Sequence, residues 1–174
     1  SSFISNEISN VLKKKERFQL CLCGGSTPKD VYKLLSKESI PWEKVDVFLG
    51  DERCVMPSSS ESNTLMIKQT LLKNLGSKSN FYEIFKETNT TDEIYKDLFK
   101  EELKKRCAGV PPSFDFTLLG LGDDGHTASL FPFKEINESD EYVIFSEGKG
   151  IKRISLTPKI LSASSQMAFL LKGS

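Results

Sequence analysis

The sequence predicts an α/β fold with an open, mainly parallel sheet and helices on both faces. Short β-like runs alternate with helical patterns along the chain, and the strongest runs feed into glycine-rich turns that precede helices. Strand, turn and helix in repetition are the pattern of parallel βαβ units. The composition agrees. The 174 residues are 38% hydrophobic and 10% aromatic, unlike a disordered chain. At about 150 residues per domain, residues 1–174 are expected to form a single Rossmann-like domain.

The elements follow in order. Residues 4–15 read as a weakly amphipathic helix whose end, with Lys13, Lys14, Lys15 and Arg17, complements the helix dipole. FQLCLC at 18–23 suits a buried strand and runs into Gly24-Gly25-Ser26-Thr27-Pro28. Thr27 is placed to cap a helix with Pro28 at its first position, and Val31, Leu34 and Leu35 share its apolar face. VDVFL at 45–49 is strand-like and enters Gly50-Asp51-Glu52-Arg53. After a polar loop, Ile67, Leu71 and Leu75 recur at a spacing of four, as in a helix. Residues 80–85 read as another strand. Thr90 and Glu93 form a capping-box pair before Ile94, Tyr95, Leu98, Phe99 and Leu103. Lys104, Lys105, Arg106, Gly109, Pro111 and Pro112 stop that helix. FDFTLL at 114–119 is the clearest strand and enters Gly120-Leu121-Gly122-Asp123-Asp124-Gly125-His126. Residues 142–145, 153–157 and 167–171 read as strands, with a helix over 158–163. No closing helix follows the last strand. A parallel sheet needs cover on both faces, so the C-terminal end reads as truncated.

Charge and composition narrow the function. Lys+Arg and Asp+Glu are both 24, so the net charge is zero. That balance argues against general nucleic-acid binding, which rests on phosphate neutralisation, and leaves room for a local basic pocket. No apolar run approaches the roughly 18 residues of a membrane span, and no basic region followed by an apolar core opens the chain. The four cysteines form no CxxC pair and there is one histidine, so a zinc site is not expected. Cys21 and Cys23 share one strand face and read as buried, reduced thiols, which fits a reducing, cytoplasmic location.

The most unusual segments all fall at predicted strand ends, where open α/β sheets bind ligands. Gly24, Gly25, Ser26 and Thr27 offer backbone N–H groups, hydroxyls and a helix N-terminus, all suited to phosphate. The same residues also suffice for a plain strand-to-helix turn. Asp51, Glu52 and Arg53 place a guanidinium where it can hold an oxyanion in a fork, or pair internally to shape a loop. His126 is the one side chain whose ordinary pKa, about 6.5, suits proton transfer near neutrality. Asp124, two residues away, is placed to orient it. Cys54 is a weaker candidate nucleophile, since no spacing brings His126 to it.

In this order, CGGSTPKDVYKLL, FLGDERCVMPSSSESN, FDFTLLGLGDDGHTASLFP and RISLTPKIL resemble the 6-phosphogluconolactonase family over residues 18–171. That family shares its fold with glucosamine-6-phosphate deaminases. The deaminases have Asp-Glu-Tyr at Asp51-Glu52-Arg53, and a glutamate of their ring-opening relay where this chain has Phe131. Both differences favour the lactonase. The resemblance implies hydrolysis of 6-phospho-D-glucono-1,5-lactone to 6-phosphogluconate, with no metal or organic cofactor. It implies His126 as the base that activates water, Asp124 as its orienting partner and Arg53 as a stabiliser of the oxyanion. Gly24, Gly25, Ser26, Thr27, Asp51 and Arg153 are then expected around the substrate and its phosphate, with Lys152 and Lys149 as helpers. A deaminase-like enzyme and a non-catalytic sugar-phosphate sensor are the alternative readings. The family occurs free-standing and fused to glucose-6-phosphate dehydrogenase, so a fusion or association with that enzyme is left open. Family members usually continue past the last strand with a turn, a Lys and more helices. Residues 148–153 also lack the prolines often found before the adjoining strand.

Overall fold

The computed structural model describes residues 1–85, 91–136 and 142–172. Helix α1 (Ser2–Leu12) leads into β1 (Phe18–Leu22), α2 (Lys29–Leu35), β2 (Val45–Leu49), β3 (Asp51–Arg53), α3 (Asn63–Thr70) and β4 (Asn80–Phe81). Then come α4 (Asp92–Arg106), β5 (Phe116–Gly120), β6 (Val143–Gly148), β7 (Ile151–Leu156), α5 (Pro158–Ser162) and β8 (Gln166–Leu170). Strands β4, β2, β1, β5 and β8 form, in that order, a wholly parallel sheet.

Every residue of β1 and β2 is buried, as expected of strands covered on both faces. The alternation of side chains shows which helix covers which face. Phe18, Leu20 and Leu22 lie in register with Val45, Val47 and Leu49, and Phe116 sits beside Leu20. Phe3 of α1 meets Phe116 edge-on at 5.9 Å. Phe48 points the other way, where Phe99 of α4 packs against it at 6.4 Å. Helices therefore lie on both faces.

Polar residues buried at the amino ends of the strands are paired. Asp46 accepts from Arg17 Nε at 2.8 Å, and Asp115 accepts from the Gln19 N–H at 2.9 Å and from Lys15 at 2.7 Å. This end of the sheet is closed by satisfied charges. Topology points to the opposite end. The chain goes from β1 outward to β2 on one side and later to β5 on the other, so the strand order reverses between β1 and β5. A crevice opens at such a point beyond the carboxyl ends, between the Gly24 and Gly120 turns.

The structure departs from the sequence reading in several places. Asp51, Glu52 and Arg53 are a strand rather than a turn, and β3, β7 and β6 form a separate antiparallel sheet. Gly50 is the joint. Its N–H donates to Leu22 O at 3.0 Å in the parallel sheet, and its carbonyl accepts from Leu156 N–H at 2.9 Å in the other. Strands β6 and β7 are joined through Lys149 and Gly150, both at positive φ, as a two-residue hairpin turn requires. Pro28, not Thr27, stands at the cap of α2, and no side chain caps that helix. The same helix buries Tyr32 and Leu35 and exposes Leu34, because the Tyr32 hydroxyl has a buried acceptor in Cys23 O at 2.8 Å. Helix α3 ends at Thr70, and residues 72–74 tighten into a 3-10 turn before Leu75. Thr90 lies outside the described residues. Strand β8 is a sheet edge, with Met167 and Phe169 exposed.

Candidate active site

The turn after β5 builds the first half of the site. Asp124 accepts a short hydrogen bond from His126 Nδ1, and the His126 N–H reaches the same carboxylate oxygen at 3.3 Å. The bend is closed by Gly122 N–H to His126 O at 2.8 Å and Gly125 N–H to Gly122 O at 2.9 Å. Thr127 Oγ1 ties the bend to Gly120 O at 2.9 Å. With Nδ1–H given to Asp124, Nε2 carries the lone pair, and no protein group among the described residues hydrogen-bonds it. The hydrogen bond from His126 holds the Asp124 carboxyl below its ordinary range, so Asp124 is an anion near neutral pH.

Gly122 lies directly against this pair. A Cβ there would sit 2.2 Å from the His126 ring and 2.9 Å from Asp124 Oδ1. Gly122→Ala is therefore expected to turn the imidazole away from its place and lower kcat by at least about tenfold, a fraction of what acid–base catalysis supplies. The bend is largely exposed, so circular dichroism melting should show little change, and steady-state kinetics checks the rate.

The second half comes from the antiparallel sheet. Arg53 and Arg153 are directly opposed in the β3–β7 ladder. Arg153 is only 5% exposed. Its Nη1 stands 3.7 Å from Asp51 Oδ2, and its Nε has no hydrogen-bond partner among the described residues. The Arg53 Nε is likewise buried and unpartnered. Burial, and then the like charge of Arg53, lower the Arg153 guanidinium from its ordinary value. Arginine nonetheless remains charged. Two adjacent cations with unused donors are chemically suited to holding an anion.

Asn63 joins this pair to the first turn. Its Oδ1 accepts from Arg53 Nη1 at 2.8 Å, and its Nδ2 donates to Asp51 O at 2.9 Å. The same side chain packs on Gly24, where a Cβ would lie 2.0 Å from Oδ1. Arg53 is thereby held beside the Gly24–Thr27 turn. Gly25, Ser26 and Thr27 are exposed there, and among the described residues the hydroxyls of Ser26 and Thr27 bond no protein group. Ser129 was also not singled out in the sequence. Its hydroxyl donates a short hydrogen bond to Asp51 Oδ2.

Two of the expected substrate contacts are committed elsewhere. The Asp51 carboxylate is buried and taken by Ser129, Asn63 and Arg153. Lys152 is the neighbour of Arg153 along β7 and so faces the other side. It pairs with Asp92 at 3.0 Å and Glu93 at 3.6 Å, with its ammonium 4.1 Å from the Phe145 ring centre. Lys149 occupies the hairpin tip. Glu52 is structural. Its buried carboxylate accepts from the N–H groups of Arg53, Asn63 and Thr64 and from Ser62 Oγ, closing the start of α3. Burial raises its carboxyl despite those bonds. The Cys54 thiol is pushed up to about 12, by burial first, so it is not a poised nucleophile. Among the described residues no His, Cys, Asp or Glu cluster could hold a metal, and no helix is long and apolar enough to cross a membrane.

Known proteins share both sequence and architecture with this chain. A 6-phosphogluconolactonase of Nostoc sp. is 32% identical over 174 residues, covering 98% of this chain and 72% of that protein. The corresponding protein of Thermotoga maritima is 33% identical, over 98% of this chain and 76% of its own length. Its crystal structure superposes with a TM-score of 0.87 at 29% identity, covering 99% of this chain and 78% of that one. The 6-phosphogluconolactonase of Trypanosoma brucei superposes at 0.83 with 26% identity, over 99% and 76%. The family model of glucosamine-6-phosphate isomerases/6-phosphogluconolactonase matches residues 1–174, and the chain belongs to that family.

Proposed function

We infer that the protein is a 6-phosphogluconolactonase, hydrolysing 6-phospho-D-glucono-1,5-lactone to 6-phosphogluconate in the oxidative pentose phosphate pathway. The observation that carries the mechanism is His126, held through Nδ1 by Asp124 with Nε2 left for solvent, in the crevice that the buried arginine pair also borders. The phosphate is bound by Arg53, Arg153 and the backbone N–H groups of the Gly24–Thr27 turn. Arg53 is assigned here to the phosphate rather than to the oxyanion, because Asn63 fixes it beside that turn. Anchoring the remote phosphate sets C1 of the lactone near Nε2, converting a collision into a positioned encounter.

Nε2 takes a proton from water as the water oxygen bonds to C1. Backbone N–H groups of the glycine-rich bends stabilise the oxyanion that develops. Collapse breaks the bond between C1 and the ring oxygen, and the imidazolium returns its proton to that oxygen. The acid formed ionises, so one proton is released per turnover. Asp124 keeps the tautomer and stabilises the imidazolium between the two transfers. No covalent intermediate is needed.

The deaminase reading lacks its carboxylate here, because Phe131 stacks on His126 and a hydrocarbon ring moves no protons. The test is acid release from freshly prepared phosphogluconolactone above the spontaneous rate, run beside ammonia release from glucosamine 6-phosphate. Acid without ammonia is expected, and the reverse would assign the chain to the deaminases. The mass of the native polypeptide checks whether a dehydrogenase is fused to it.

A further inference from the structure

Phe131 touches both halves of the site. Its ring stacks on His126, with centroids 4.8 Å apart and planes at 29°. The Arg153 guanidinium carbon lies 5.5 Å from the same centroid. The β6–β7 hairpin leaves room for this ring. A Cβ at Gly148 would stand 1.9 Å from Phe131 Cζ, and the Gly148 carbonyl is 3.5 Å from Arg153 Nη2.

We propose that Phe131 is a positioning residue that sets the base and the anion-binding arginine at a fixed separation. The inference rests on the lactonase reading for its catalytic meaning and on the ring contacts for its geometry. Asp124 fixes one edge of the imidazole but leaves rotation about that hydrogen bond. The aromatic face removes this freedom, and offset-stacked rings resist sliding. The ring presents electron density to Arg153 and to the imidazolium that forms during turnover. One side chain thus acts on the chemical step and on phosphate binding without reaching the substrate.

The experiment uses three variants. Phe131→Leu removes the aromatic face while keeping apolar bulk. Phe131→Tyr restores the face. Gly148→Ala displaces the ring without changing it. His126 is the chain's only histidine, so its Cε1–H gives an isolated NMR signal shifted by the Phe131 ring current. In Phe131→Leu and Gly148→Ala that signal is expected to move toward the position of a free imidazole. The affinity for inorganic phosphate is expected to fall and KM to rise about three- to tenfold, with kcat falling by a similar factor, the size of one aromatic contact. Phe131→Tyr returns all of these to near the parent values. An unmoved His126 signal in Phe131→Leu would overturn the proposal. So would a lowered melting temperature with phosphate affinity and KM unchanged, which is the mark of packing alone. The NMR and phosphate measurements need no turnover, so they decide the geometry even if the parent protein fails to hydrolyse the lactone, a failure that counts against the lactonase reading instead.

Discussion

His126→Asn is expected to lower kcat by about 10²–10⁴, the range that positioned acid–base groups supply, while KM for the phospholactone changes little. Asparagine keeps a polar group of similar reach but cannot take up a proton, and the arginine pair proposed to hold the phosphate lies on β3 and β7. The pH profile should separate base from bystander. The parent loses activity on the acid side, where a protonated imidazole cannot accept a proton from water, and the variant loses that limb of the profile. Asp124→Asn keeps a hydrogen-bonding side chain without its charge. It should reduce kcat by a smaller factor, because the imidazole remains but its tautomer is no longer enforced. Equal lactone hydrolysis above the spontaneous rate by the parent and His126→Asn would remove His126 from the mechanism.

The parts of this site that were readable in the sequence are those written in local chemistry. His126 is the single histidine, at a strand end among glycines, with Asp124 two residues before it. The bend that joins them is made by neighbours in the chain. The parallel core was equally legible, since 18–23, 45–49 and 114–119 are apolar runs followed by turns. Strand β3 was not legible, because three residues, two of them carboxylates, carry no periodicity. Its strand character comes from a partner a hundred residues away. The resemblance offers Lys152 as a helper to Arg153, but adjacent strand residues face opposite ways, and the acidic start of α4 holds Lys152. Asn63 and Ser129 were missed for the same reason as β3. Their partners Arg53, Asp51 and Gly24 are distant in sequence, and a lone Asn or Ser at the start of a helix or in a loop ordinarily reads as a cap or a turn. The helix α2 face was misread because Tyr32 is polar in a pattern but buried in the structure, where a carbonyl accepts its hydroxyl.

Arg53→Ala is expected to raise KM for the phosphorylated lactone by about 30- to 5000-fold, the effect of removing one partner from a charge-assisted contact worth about 2–5 kcal/mol. Turnover of the unphosphorylated lactone should hardly change, which separates anchoring from chemistry. The unliganded variant should melt close to the parent, because two effects oppose each other. Alanine forfeits the hydrogen bonds from Nη1 to Glu61 O and Asn63 Oδ1. It also removes a like charge from beside Arg153, whose guanidinium that charge disfavours. Inorganic phosphate separates the two proteins. An anion that binds only the folded state adds about 2.7 kcal/mol of stability at a hundred times its dissociation constant. The parent should therefore melt at rising temperature as phosphate is added, and Arg53→Ala should show little of that rise. A variant that still gains the parent's full phosphate-dependent shift would mean that Arg153 and the Gly24–Thr27 turn hold the anion without Arg53. Arg53 would then return to the developing oxyanion, and kcat rather than KM would record its loss.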